Sequence, residues 1–169
     1  MDPQVLHNIS YGMFIISSKK ENACNGQIVN TVFQVTSEPV SIAISLNKQN
    51  LTCEFIKHSR IFSVSILSKD APLKFIGTFG FKSGRQTDKF KDVGHTLLPS
   101  GCPVVLDNTL GYLEAEVINS FDCGTHIVFL GKVQDMVMVK TGKPMTYEYY
   151  HQVKRGTTPA TAPTFIKGE

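Results

Sequence analysis

The sequence predicts a mainly β domain, a closed or nearly closed antiparallel barrel with two or three short helices. Two segments alternate cleanly between apolar and polar residues: 41–46, with Ile42, Ile44 and Leu46 on one face, and 62–66, with Phe62, Val64 and Ile66 on one face. Period-two alternation marks a half-buried strand. Seven or eight strand-sized segments run along the chain, against two with helical spacing. Many strands with few helices suit an antiparallel barrel.

Taken in order, residues 11–17 are apolar and rich in strand formers. Residues 26–35 read as one strand with polar residues at irregular places, and 41–46 follows. A short helix is expected over 51–58, where Leu51, Phe55 and Ile56 lie near helical spacing. In strand 62–66, Ser63 and Ser65 are expected to face water. A second helix is expected over 71–79, with Pro72 in its first turn, where the missing N–H costs least. Residues 82–95 form a polar, glycine-containing loop, long enough to be functional. Further strands are expected at 104–106, 111–119, 126–133 and 137–139. In 111–119, Glu114 and Glu116 are expected to face water. The expected organisation is one domain over 1–150 and an extended arm over 151–169.

Composition removes several function classes. The formal net charge is only +3, and the 17 basic residues are scattered among acids. Nucleic-acid binding needs lysine and arginine gathered in a stripe. The aromatics Phe14, Phe33, Phe62 and Phe129 fall on apolar strand faces and are read as core, which ranks an oligonucleotide-binding barrel low. No apolar run approaches the roughly 20 residues of a membrane helix. The first ten residues lack a basic start before an apolar run, so no signal peptide is expected and the protein is read as cytoplasmic. Cys24, Cys53, Cys102 and Cys123 show no C-x-x-C spacing, and the histidines show no metal spacing, so no metal site is expected.

The informative stretch runs from Asn25 to Thr52. Asn47-Lys48-Gln49-Asn50-Leu51-Thr52 sits where a strand passes into a helix. A helix N-terminus offers free N–H groups and partial positive charge, which suits a phosphate. Lys48 adds charge, and Asn50 and Thr52 add neutral donors. A capped surface helix with a solvated lysine has the same local pattern. In the preceding strand, Asn30, Thr31 and Gln34 are polar among apolar residues. They fit either a water-facing edge or a bound cofactor.

Asn25-Gly26-Gln27-Ile28-Val29-Asn30-Thr31-Val32-Phe33-Gln34-Val35-Thr36, followed by Pro39 and the 47–52 segment, resembles the flavin reductase-like family of FMN-binding split barrels. So do Phe81-Lys82-Ser83-Gly84-Arg85 with Asp88-Lys89-Phe90, and Gly124-Thr125-His126 leading into residues 127–133. Tyr149-Tyr150-His151 and Lys154-Arg155-Gly156 resemble one subgroup, the flavin domain of high-molecular-weight rubredoxins and the flavoredoxins. The resemblance covers nearly the whole chain. Two places depart from it: Asn30, Thr31 and Gln34 stand where many members carry serines, and Pro39-Val40 where many carry two prolines.

The resemblance implies a homodimer of antiparallel split β-barrels of Greek-key-like character, with FMN rather than FAD near the interface. By position, Asn30, Thr31 and Val32 would line the isoalloxazine, and Gln34, Asn47, Lys48, Asn50 and Thr52 would serve the ribityl chain and phosphate. Ser83, Gly84 and Arg85 would lie near the flavin or an entering nicotinamide, and His126 by the reactive face as the catalytic candidate. The activity implied is hydride transfer from NAD(P)H to FMN, with electrons passed to free flavin or a redox protein such as a rubredoxin. The isoalloxazine carries that chemistry, so no nucleophile or carboxylate pair is needed. A non-enzymatic FMN electron carrier is the competing expectation. No cysteine follows Lys154, so a one-electron carrier is expected to come from another chain.

Overall fold

The structure is a computed structural model and describes residues 2–165. After a 3-10 turn, Pro3–Asn8, the strands are β1 (Phe14–Lys20), β2 (Ala23–Val29), β3 (Val32–Ser37), β4 (Val40–Asn47), β5 (Ile61–Leu67), β6 (His95–Leu97), β7 (Pro103–Val105), β8 (Thr109–Asp122) and β9 (His126–Met138). The helices are α1 (Leu51–Ser59), α2 (Leu73–Gly80) and α3 (Tyr147–Gln152).

Seven strands form one antiparallel sheet in the order β2-β1-β5-β8-β9-β4-β3, and β6 pairs with β7. β2 and β3 stand at opposite ends of that order, yet only Asn30 and Thr31 separate them in the chain. Val29 and Val32 are therefore at most roughly 11 Å apart. The sheet must curl until its ends approach, which makes an antiparallel barrel with an unpaired seam.

The inner face encloses Ile16, Val29, Ile44, Phe62, Val64 and Phe129, among others, and α1 contributes Cys53 and Ile56 to the same core. A second core lies outside the barrel, where Met13, Ile15, Ile76, Phe79 and Phe90 pack with Met145 and Tyr150. β1 feeds both: Ile16 points inward, Ile15 outward. Each large apolar side chain so buried contributes about 1.5–3 kcal/mol.

Residues 26–35 are two strands rather than one. The chain pivots at Asn30 and Thr31, which carries β3 to the far end of the sheet. Residues 137–139 are not a separate strand, because β9 runs on to Met138 and pairs along most of β8. Pro72 stands before α2 with φ −66° and ψ 147°, rather than in its first turn. α3 is the third helix that the expected two or three allowed for without placing, and it spans residue 150, the expected domain boundary.

The expected placement of four side chains also changes. Ser63 and Ser65 are fully buried, because β7 covers the outer face of β5. The Ser63 hydroxyl donates to Pro103 O at 2.5 Å, and the Val105 N–H donates to Ser65 Oγ at 3.1 Å. Glu114 is buried as well, accepting a bond from the Ser100 hydroxyl. Phe33, read as core, is 56% exposed on β3. Alternation reports one apolar face; it does not say what covers the other. Among the described residues no helix is long and apolar enough to cross a membrane.

Candidate functional site

A cavity of about 350 Å³ opens between β2, the start of α1, the end of α2 with its following loop, and residues 157–163. β4 brings the chain to it. Asn47, at the end of β4, pairs with His126 of β9, and its side chain accepts the Gln49 N–H at 3.0 Å to shape the turn. Asn50 then stands at the N-cap position with extended dihedrals (φ −75°, ψ 134°), but its side chain makes no capping bond. The start of α1 is thus uncapped where Asn50, Leu51 and Thr52 line the cavity. A helix N-terminus of this kind attracts an anion.

Two buried polar residues support this end. Asn25 Nδ2 donates to Thr52 Oγ1 at 2.7 Å. The Thr52 hydroxyl accepts that bond and keeps its own proton for a further acceptor. The loop after α2 closes against the same pair: a Cβ on Gly84 would sit 1.9 Å from Asn25 Oδ1. Only glycine allows that approach. Arg85 reaches back to Glu54 at 3.1 Å, and Lys20 reaches the same carboxylate at 2.8 Å. Hydrogen bonds from Lys20 and then Arg85 hold the Glu54 carboxyl below its usual range.

Of the residues singled out in the sequence, Asn30, Asn47, Asn50, Thr52, Ser83, Gly84 and Arg85 line this cavity. Asn30 is buried, and its Nδ2 donates to Thr164 Oγ1 at 2.8 Å. Thr31 donates to Asn30 Oδ1 at 3.1 Å, and Val32 packs against the barrel core. Gln34 lies on exposed β3, donating to Thr36 O at 3.2 Å. Lys48 pairs with Asp122 at 2.6 Å, and that bond holds the Asp122 carboxyl low. His126 has Nδ1 at 2.8 Å from Thr125 Oγ1 and Nε2 at 3.3 Å from Thr161 O.

Lys89 had no assigned role in the sequence reading. It is 6% exposed, lines the cavity, and donates to Gly26 O at 2.8 Å and Phe79 O at 3.3 Å. Desolvation lowers its pKa from 10.5 to about 8. Phe79 O lies at the C-terminal end of α2, where a cation is favoured. Asn25, Gln27 and Tyr147 also line the cavity. Asn25 and Lys89 lay inside recognisable motifs, but a sequence does not show which polar residue of a motif is buried. The four thiols are free. Burial raises Cys24 and Cys53 and pushes Cys102 up to about 12, which disfavours thiolate chemistry there.

Residues 6–158 match the family model described as the flavin reductase like domain. The chain belongs to that family. It is 54% identical over 168 residues to the high molecular weight rubredoxin of Moorella thermoacetica, covering 99% of this chain and 73% of that protein. It is 40% identical over 169 residues to the ferric-chelate reductase (NAD(P)H) of Archaeoglobus fulgidus, covering 100% of both. Among solved structures, the NADH:FAD oxidoreductase SgcE6 of Streptomyces globisporus C-1027 superposes with a TM-score of 0.77 at 21% identity, covering 86% of this chain and 90% of that one. The flavin reductase HpaC complexed with NADP+ superposes at 0.74 with 19% identity, covering 85% and 89%. At those identities the structural likeness speaks for the split-barrel fold.

Proposed function

We propose that this flavin reductase-like protein binds FMN and takes a hydride from NAD(P)H onto it, passing the electrons to free flavin or to a redox protein such as a rubredoxin. The observation that carries the reading is the uncapped N-terminus of α1, opening on a cavity walled by Asn25, Thr52 and the Ser83–Arg85 turn. One helix N-terminus with neutral donors around it is a cradle for one phosphoryl group, which favours FMN over FAD. FMN, when bound, accepts a hydride and releases electrons singly or in pairs.

The protein's own groups then bind and orient. Backbone N–H groups of α1, with Asn47, Asn50 and Thr52, would hold the phosphate end; Lys48 would add charge there on leaving its pair with Asp122. Ser83, Gly84 and Arg85 close over the flavin, and Glu54 fixes the Arg85 guanidinium. Asn30, Thr31 and Val32 stand at the seam of the barrel, where the ring would lie, and Gln34 extends that strand. His126 would offer a hydrogen bond from the start of β9.

A second copy of the chain is the proposed partner. Exposed Phe33 and half-buried Leu130 flank buried Ala43 in one cross-strand row on the outer face of β3, β4 and β9. Exposed Val35, Ile118, Phe121 and Met138 add apolar surface on β3, β8 and β9. Four unpaired cysteines suit a reducing, cytoplasmic setting.

The test is a titration of the purified protein with FMN, followed by NADH or NADPH under exclusion of air. One FMN per chain, bleached by a nicotinamide, is the expected result. Colourless protein that takes up no flavin would defeat the reading, and stable FMN untouched by either nicotinamide would make the protein an electron carrier. Gly84→Ala tests the site: the added methyl must displace Asn25 or the loop. FMN affinity is expected to fall about tenfold or more, with unfolding stability changed far less.

A further inference from the structure

Residues 157–164 lie across the cavity as a strap held by polar bonds. Tyr150 OH donates to Thr157 O at 3.1 Å. The Tyr147 hydroxyl bonds Thr158 Oγ1, and Thr164 Oγ1 donates to it at 3.0 Å. His151 Nε2 is 3.2 Å from Thr158 Oγ1. The strap also reaches two residues of the proposed site, Asn30 through Thr164 and His126 through the Thr161 carbonyl.

None of residues 157–164 is buried, and their side chains are small or ring-closed: threonine, alanine and proline. None of them belongs to either apolar core. Segments with few buried contacts open at low cost. The strap also separates two cavities. Tyr147, Thr158 and Pro163 line the first and, from the other side, a second one of about 770 Å³ bounded by Ile9, Tyr11 and α3. Lifting the strap would join them.

Tyr147 is the fixed point of this arrangement. Its ring stacks on Tyr150 with centroids 6.4 Å apart and meets His151 edge-on at 4.3 Å and Tyr11 edge-on at 6.2 Å. Its hydroxyl meets two threonines of the strap, Thr158 and Thr164. We propose that Tyr147 is a positioning residue: through its hydroxyl it pins residues 157–164 as a movable wall that limits which molecules reach the cavity. The identity of the molecule limited, a nicotinamide or a larger acceptor, rests on the flavin reading above. The strap occupies Asn30 and His126 while closed, so a ligand that uses those groups must displace it.

The test compares the full-length protein with Tyr147→Phe, which keeps the ring packing and removes the hydroxyl. Thr158→Val with Thr164→Val serves as a second variant should the first misfold. Hydrogen–deuterium exchange, measured without added flavin, is expected to quicken about tenfold at residues 157–164, while amides of β8 and β9 keep their protection. With FMN bound, iodide quenching of flavin fluorescence is expected to rise, and KM for the nicotinamide to fall more than kcat changes. Unchanged exchange in the folded variants would overturn the proposal. So would faster exchange with neither quenching nor KM altered, since the strap would then be no wall. Failure of the wild-type protein to bind FMN would defeat the flavin reading alone; the exchange measurement would still decide whether Tyr147 holds the strap.

Discussion

One side of the cavity is closed by β2 and α1, whose Val29, Cys53 and Ile56 belong to the barrel core. Another side is closed by residues 157–164, none of them buried. The first wall cannot move without emptying the core. The second is held by hydrogen bonds, each contributing a net of only about 0.5–1.5 kcal/mol. The same cavity thus has a rigid side that carries the anion-attracting helix end and a yielding side that faces His126 and Asn30. Ligand geometry would be set on the first side and ligand traffic on the second.

The largest effect that tests this contrast comes from the rigid side. Phe62 is fully buried at the centre of the barrel core. Its ring also fills the space beside Gly131, where a Cβ would meet Phe62 at 2.7 Å. Phe62→Ala is expected to cost about 3–5 kcal/mol in urea unfolding and to weaken FMN binding with it. A loss below 1 kcal/mol would show that the barrel can collapse around the gap and is not the rigid wall described.

The rigid side was also the more legible one in the sequence. Alternation over 41–46 and 62–66 gave the right inward residues at Ile42, Ile44, Leu46, Phe62 and Val64, because one face of each strand meets the barrel core, whereas Ile66 is half-buried and belongs to neither core. The alternation could not show that β7 covers Ser63 and Ser65, since that contact joins residues 40 apart in the chain. The helix over 51–58 was legible from Leu51, Phe55 and Ile56, and is observed over Leu51–Ser59. Asn50 was legible as a capping type, but not that its side chain would leave the cap unmade. The yielding side was read only as an extended arm. Threonines, alanines and prolines give no periodicity, and their partners Asn30, His126 and Tyr147 lie far away or in another element.

Lys89 sharpens the contrast from between the walls. It fastens the loop after α2 to β2 through Gly26 O and to α2 through Phe79 O. Burial lowers its pKa from 10.5 to about 8. Between those values the unfolded chain still holds the proton that the folded chain has released. Raising the pH through that window therefore favours folding. Wild-type stability is expected to rise relative to Lys89→Met by on the order of 2 kcal/mol from pH 8 to 10.5, followed by urea unfolding at several pH values. A flat difference across the window would mean that the ammonium is better solvated than its burial implies, and that the joint is loose.

The smallest effect is expected on the yielding side. Thr164→Val keeps the side-chain shape but removes the hydroxyl that meets both Asn30 and Tyr147. If residues 157–164 dock on an already complete barrel, global unfolding starts from a state in which they are easily released. The loss in stability cannot then exceed the docking free energy of the strap, and is expected to be below about 1 kcal/mol. Exchange at 157–164 should quicken nonetheless, because local opening is where the lost bonds count. A loss comparable to that of Phe62→Ala would place the strap within the cooperative core. The cavity would then have two rigid walls, and access to it would have to come through the Ser83–Arg85 loop instead.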